Sequence, residues 1–144
     1  MSLKKSKILI DVDDVIVGNV FIPALNKFKE TSYETSDFKS FFLNEFLEEK
    51  EFKEFIKFLG ENNMYENCDL IDHAYEVLEH ISKAMDVYIC SSCVVYGASE
   101  NSGVLFSHKY NFLINKFPFL DPEKFIFTAA KNNFSGFDYQ IDDR

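Results

Sequence analysis

The chain has 144 residues, 47% of them hydrophobic and 27% charged, which suits one globular domain without room for two independent cores. Its net charge of -9 and its single arginine, Arg144, argue against binding polymeric nucleic acid or an anionic membrane, since such binders need clustered basic residues. No apolar run approaches the roughly 20 residues that span a bilayer, and the polar start does not resemble a secretory signal. Three cysteines form no even disulfide framework, so we predict a cytoplasmic protein and leave open whether it is a homodimer.

Four short apolar segments, residues 7–13, 86–92, 124–128 and 138–143, are predicted to form strands. Their hydrophobicity is continuous rather than alternating, which is typical of parallel strands covered on both faces. Between them, residues 72–83 predict a helix with Asp72 as its N-cap, and residues 108–117 predict a helix that ends before Pro118. Alternating strands and helices predict an α/β fold with a doubly wound parallel sheet.

Residues 19–64 contain helical patterns but no strand pattern, and seven phenylalanines fall between Phe38 and Phe58. We predict that residues 19–64 form a small helical cap inserted after the first strand, with residues 1–18 and 65–144 forming the α/β core. The phenylalanines are expected to bury one another in this cap. In the alternative, one or two of their rings stack on a nucleobase.

The most notable polar residues lie at the carboxyl ends of the predicted strands: Asp11 and Asp13 in the first, Ser91 and Ser92 in the second, and Asp142 and Asp143 in the fourth. Ligands bind at the carboxyl edge of such sheets. One aspartate at a strand end is ordinarily a helix cap or a solvated loop residue, but two separate pairs are less easily explained in that way. Four carboxylates at one edge repel each other unless a hard cation such as Mg²⁺ lies among them.

The spacing of Asp11 and Asp13 suggests a division of labour. Residues two apart in a strand point the same way, and the carboxylates separate as the chain leaves the strand. One can then attack a phosphorus atom as a nucleophile while the other transfers protons. The Val12 carbonyl between them is predicted to be a free oxygen ligand for the metal.

Residues 8–13 (Ile-Leu-Ile-Asp-Val-Asp) resemble the first motif of the haloacid-dehalogenase-like phosphohydrolases. Residues 88–92 (Tyr-Ile-Cys-Ser-Ser) and 138–144 (Asp-Tyr-Gln-Ile-Asp-Asp-Arg) resemble the 5'(3')-deoxyribonucleotidase branch, which has a strand ending in Cys-Thr-Ser and a closing Asp-Asp-Arg. Residues 108–111 and 125–131 are similar to its third region. Asp14 stands where the family usually has glycine, and the turn can survive this change because aspartate can occasionally adopt left-handed backbone angles. The resembling enzymes continue past Asp-Asp-Arg with another strand and helix, so we expect either a trimmed chain or a minimal one.

This resemblance implies a Mg²⁺-dependent phosphomonoesterase that forms a phospho-aspartate and acts on (deoxy)nucleoside monophosphates. It makes Asp11 the nucleophile and Asp13 the general acid and base. The other implied catalytic residues are Ser91, as a hydroxyl donor to phosphate, and Lys131, as the motif lysine. The implied substrate-binding residues are Ser92, Lys109, which is also a second candidate for the motif lysine, and Arg144. The implied ligands of Mg²⁺ are Asp11, the Val12 carbonyl, Asp142 and Asp143.

Other functions remain open on the sequence alone. The chain could act on another small phosphorylated metabolite, or could be a non-catalytic member that binds a nucleotide or a partner. Cys90 and Cys93 form a Cys-x-x-Cys pair, which serves as a redox centre when its first thiol opens a helix. Because Cys90 falls inside an apolar strand, we expect a buried structural cysteine instead. A zinc site that includes Cys68 would lack an evident fourth ligand.

Overall fold

The computed structural model describes residues 4–39, 46–92 and 99–143. One parallel sheet of four strands is formed by β1 (Lys7–Ile10), β2 (Asp86–Ser91), β3 (Phe125–Phe127) and β4 (Tyr139–Ile141), in the order β3-β2-β1-β4. The predicted α/β fold with a parallel sheet is therefore confirmed. Each strand is shorter than predicted, because the acidic and hydroxyl residues that follow it leave the sheet.

The helices are α1 (Phe21–Lys29), α2 (Glu49–Glu61), α3 (Ala74–Ala84) and α4 (Ser102–Lys116). The last of them begins at Ser102 rather than at the predicted His108. Among the residues that the structure describes, no helix is both long and apolar enough to cross a bilayer.

The prediction that Asp72 caps α3 is wrong. The N-cap is His73, whose φ of 63° lies in the left-handed region and whose side chain makes no capping hydrogen bond. A tight turn precedes the helix, in which the Ala74 amide donates to the Ile71 carbonyl at 2.9 Å. The chain therefore enters α3 through this turn, and Asp72 lies one residue outside the helix start.

The main core lies around the two central strands. Ile8 and Ile10 of β1 and Ile89 of β2 are buried, together with Leu113 and Phe117 at the carboxyl-terminal end of α4 and its cap. Burial of these apolar side chains anchors β1 and β2 on the helices, and this holds the carboxyl ends of the central strands in fixed positions.

A second hydrophobic cluster joins α1 and α2 to α4. Its buried members are Leu25, Leu47, Phe55, Ile56, Leu59 and Leu105. The ring of Phe28 lies 5.4 Å from those of both Phe55, which is buried, and Phe58, which is partly buried. The expected burial is not uniform, since Phe46 is 39% exposed. Phe41 and Phe42 lie outside the described residues. Because Leu105 belongs to α4, the cluster crosses the predicted boundary, and the division into a cap of residues 19–64 and a core stays a prediction.

Candidate active site

Polar residues from the ends of the parallel strands meet at one edge of the sheet. The Asp11 amide, just after β1, donates to the Ile141 carbonyl of β4 at 3.0 Å. Between the neighbouring strands β2 and β3, the Thr128 amide donates to the Ser91 carbonyl at 3.0 Å. These backbone bonds continue the strand register beyond the strands and fix where Asp11 and Ser91 project. The convergence that the sequence predicts at this edge is present.

The turn after β1 shapes the site but does not provide a free carbonyl. The Val12 oxygen accepts the amides of Val15, Ile16 and Val17 at 3.3, 2.8 and 3.1 Å, and Val12 is completely buried. The prediction that this oxygen is free for a metal is therefore wrong, because the turn uses it as the common acceptor of three donors. The neighbouring Asp14 has a φ of 58°, the left-handed conformation expected at the position of the family glycine.

Asp11 is buried and held by two donors. One carboxylate oxygen accepts the Val12 amide at 2.7 Å, and the other contacts the Lys131 ammonium. Lys131 also lies 3.5 Å from a carboxylate oxygen of Asp142. It follows a turn in which the Ala130 amide donates to the Thr128 hydroxyl at 3.0 Å. Lys131 therefore places a positive charge between carboxylates that come from β1 and β4.

Asp11, Asp142 and Asp143 form a cluster of metal-ligating type. Each offers a carboxylate oxygen, and these oxygens lie within 4.8 Å of one another. Burial raises the pKa of Asp143, and its hydrogen bond with Asp142 and the charge of Asp11 raise it further. Hard carboxylate oxygens are the donors that Mg²⁺ prefers, and a cation would relieve the repulsion that disfavours the ionised carboxylates. The residues present thus fit a divalent cation.

Asp13 sits at the centre of a second network. Its two carboxylate oxygens accept the Lys109 ammonium at 2.6 Å and the Tyr65 hydroxyl at 2.8 Å. Lys109 is only 1% exposed and also donates to the Ser91 hydroxyl at 2.8 Å and the Ser92 carbonyl at 2.9 Å. Since the Ser91 oxygen accepts from Lys109, its own proton is left for another acceptor. Lys109 thereby links the Asp13 carboxylate to the end of β2.

Residues 5–144 match the protein family described as "5' nucleotidase, deoxy (Pyrimidine), cytosolic type C protein". The chain belongs to this family. A candidate 5'(3')-deoxyribonucleotidase from Staphylococcus epidermidis is 29% identical over 143 residues, which cover 98% of this chain and 75% of that protein. A candidate 5'(3')-deoxyribonucleotidase from Staphylococcus aureus is 36% identical over 85 residues, 59% of this chain and 43% of the relative.

Among solved structures, the chain is similar to a magnesium-bound candidate haloacid-dehalogenase-type hydrolase from Bacillus subtilis. The superposition covers 92% of this chain and 69% of that one, with a TM-score of 0.50 and 18% sequence identity. At that identity the likeness shows the fold. The family match confirms the nucleotidase resemblance inferred from the motifs, and the likeness to the Bacillus subtilis structure shows the same fold as a haloacid-dehalogenase-type hydrolase. The family makes this chain a hydrolase of the phosphatase and nucleotidase class.

The structure brings most of the predicted site residues together. Those at the sheet edge are Asp11, Asp13, Ser91, Ser92, Lys109, Lys131, Asp142 and Asp143. Arg144 lies outside the described residues. Each of the two candidate motif lysines contacts a different aspartate of the Asp-x-Asp pair, Lys131 with Asp11 and Lys109 with Asp13.

Sequence reasoning missed Tyr65. It lies in the polar segment between α2 and α3, far from every motif in the chain, yet its hydroxyl contacts Asp13. A single tyrosine in such a segment carries no spacing or pattern that distinguishes it from a surface residue. Only the folding of this segment against α4 brings the phenol to the site.

The Cys90 thiol is expected to react slowly with alkylating reagents in the folded protein. It is 2% exposed in β2, and burial raises its pKa, with the charges of Asp11 and Asp142 adding to the rise and Lys131 opposing it. Because the thiolate is the nucleophile, a raised pKa lowers the reactive fraction near pH 8, and we expect native alkylation at least about tenfold slower than in urea. Iodoacetamide labelling with peptide mapping measures this. Rapid native labelling would restore the redox hypothesis, whose second cysteine, Cys93, lies outside the described residues.

Proposed function

We propose that the protein is a Mg²⁺-dependent phosphomonoesterase that forms a phospho-aspartate on Asp11 and acts on (deoxy)nucleoside monophosphates. The observation that carries this proposal is the position of Asp11, a buried carboxylate beside the Lys131 ammonium and within the Asp142–Asp143 cluster. Membership of the 5'-nucleotidase family supports a small nucleotide as the substrate.

In the first half-reaction, an Asp11 carboxylate oxygen attacks the phosphorus atom and the bond to the leaving oxygen breaks. Asp13 donates its proton to that oxygen, so that the nucleoside departs as a neutral alcohol. The backbone places both carboxylates on one turn, two residues apart, which suits attack and protonation at the same phosphoryl group. The Ser91 hydroxyl proton, which Lys109 leaves unused, is available for a phosphate oxygen.

In the second half-reaction, a water molecule attacks the phosphorus atom of phospho-Asp11. Asp13, now ionised, accepts the water proton, the bond between phosphorus and the Asp11 oxygen breaks, and inorganic phosphate leaves. The Lys109 ammonium and the Tyr65 hydroxyl contact the two carboxylate oxygens of Asp13 and hold the group at the sheet edge for this step.

Asp11, Asp142 and Asp143 would hold the Mg²⁺ ion, which neutralises phosphate charge when bound. Lys131 would provide a second positive charge beside the nucleophile. We leave the Val12 carbonyl out of this ligand set, because its oxygen is occupied by the turn.

The proposal is tested by measuring phosphate release from a panel of phosphomonoesters that includes nucleoside 5'- and 3'-monophosphates, sugar phosphates and 4-nitrophenyl phosphate. We expect release that requires Mg²⁺ and is highest with nucleotides. We also expect saturating Mg²⁺ to raise the melting temperature by about 5 °C, since it binds the folded state alone.

Asp142→Asn is expected to remove the Mg²⁺-dependent rise in melting temperature. The matched control is Asp121→Asn, which changes an exposed aspartate that caps a short turn before β3 and should keep the rise. Higher turnover of sugar phosphates than nucleotides would contradict the substrate class. A folded protein that binds nucleotide but releases no phosphate from any ester would contradict the reaction and indicate a binding protein.

A further inference from the structure

Tyr65 is rigidly placed although it lies outside every helix and strand. Its side chain is 2% exposed, and its ring stacks on Phe112 of α4 with 5.5 Å between centroids. Its backbone amide donates a hydrogen bond to the side-chain oxygen of Asn63, in the same segment, at 3.0 Å. The phenol therefore points to a defined position at the sheet edge.

That position is the Asp13 carboxylate. The Tyr65 hydroxyl donates to one oxygen at 2.8 Å, while the Lys109 ammonium donates to the other at 2.6 Å. The same ammonium lies 5.5 Å from the centre of the Tyr65 ring, so ring, ammonium and carboxylate form one packed unit. Rotation of a carboxylate about its last bond is normally broad, and two donors on its two oxygens remove that freedom.

Resting on the function proposed above, we propose that Tyr65 is a positioning residue, which fixes the orientation of Asp13 for proton transfer to the leaving oxygen. The hydroxyl remains a donor to Asp13 in both half-reactions and does not exchange its proton with substrate. Lys109 alone would hold one oxygen and leave the carboxylate free to turn about that contact. The loop between α2 and α3 thus contributes directly to the acid–base group.

The test replaces Tyr65 with phenylalanine, which keeps the ring packed on Phe112 and removes only the hydroxyl. Protonation of the leaving oxygen matters more for a nucleoside monophosphate than for 4-nitrophenyl phosphate, whose leaving group is stable as an anion. We therefore expect Tyr65→Phe to lower kcat/KM, which reports the first half-reaction, roughly tenfold for the nucleotide and clearly less for the aryl ester. The matched control is Tyr75→Phe, which removes a hydroxyl from a ring packed on Phe117 and Phe119. It should leave kcat/KM unchanged for both substrates.

A second measurement reads the contact without any catalysis. Tyr65→Phe should lower the urea midpoint of unfolding in the wild-type background, and should lower it much less when combined with Asp13→Ala. Equal shifts of the urea midpoint in both backgrounds would show that the Tyr65 hydroxyl does not interact with Asp13, and this would overturn the positioning role.

The outcomes separate this inference from the proposed function. If the wild type hydrolyses nucleotides and Tyr65→Phe matches it within about twofold, the role of Tyr65 is overturned and the function stands. An equal loss in kcat/KM with both substrates would show general damage to the site and would also overturn the role of Tyr65. A wild type that releases no phosphate from either ester overturns the proposed function and the positioning role together.

Discussion

Replacing Asp11 with asparagine is expected to lower Mg²⁺-dependent phosphate release by at least about 10³-fold for every substrate, because the amide cannot act as the attacking nucleophile. The loss should fall on kcat, and no phosphoprotein should form. Steady-state assays and mass spectrometry of the quenched protein measure both quantities. Asp11→Asn keeps the shape of the side chain, so circular dichroism should show the wild-type fold.

The matched control for this substitution is Asp121→Asn, at an exposed aspartate whose side chain accepts the Glu123 amide. Asparagine caps equally well, and we expect wild-type activity. An Asp11→Asn variant that retained a tenth of the activity would contradict the nucleophilic role, and an equal loss in both variants would indicate general instability.

Replacing Asp13 with asparagine is expected to lower kcat for nucleotides by about 10²–10⁴-fold, the usual contribution of a positioned acid and base. The effect should depend on the reaction step. With 4-nitrophenyl phosphate, the leaving group departs without a proton, while hydrolysis of the phosphoenzyme still lacks its base. We therefore expect phospho-Asp11 to accumulate in Asp13→Asn when this ester is used, as detected by mass spectrometry.

Asp14→Asn is the matched control at the next position. Desolvation and the charges of Asp13 and Asp11 raise the pKa of Asp14, and its φ of 58° suits asparagine equally well. We expect the turn to survive and activity to change by no more than about threefold. If Asp14→Asn were as damaging as Asp13→Asn, the acid–base role would not belong to Asp13 alone.

The order of elements and most of the site could be predicted from the chain itself. Continuous apolar segments mark parallel strands, and polar residues directly after them must meet at one edge because parallel strands end on the same side. Asp11, Ser91 and the Asp142–Asp143 pair are therefore predictable neighbours at this edge. The family resemblance aligned Asp14 with a glycine, and aspartate can adopt the left-handed angles that the turn uses there.

Local backbone geometry was harder to predict. The predictions of a free Val12 carbonyl and of an Asp72 cap were both wrong, because each depends on how one turn closes. The Val12 oxygen is taken by three amides of its own turn, and α3 begins after a left-handed His73. Hydrogen bonds between residues three to five apart decide such details, and hydrophobic patterns do not report them.

The α/β fold, the family and the two aspartate pairs could be inferred without coordinates, because short contiguous segments of the chain carry all of them. The contacts of the two lysines, Lys131 with Asp11 and Lys109 with Asp13, became evident from the folded chain. Only the tertiary structure brought Tyr65 to the Asp13 carboxylate across 52 positions of the chain. A buried ion pair and a phenol contact depend on side-chain packing between distant segments, and such packing leaves no periodic pattern in the sequence of either segment.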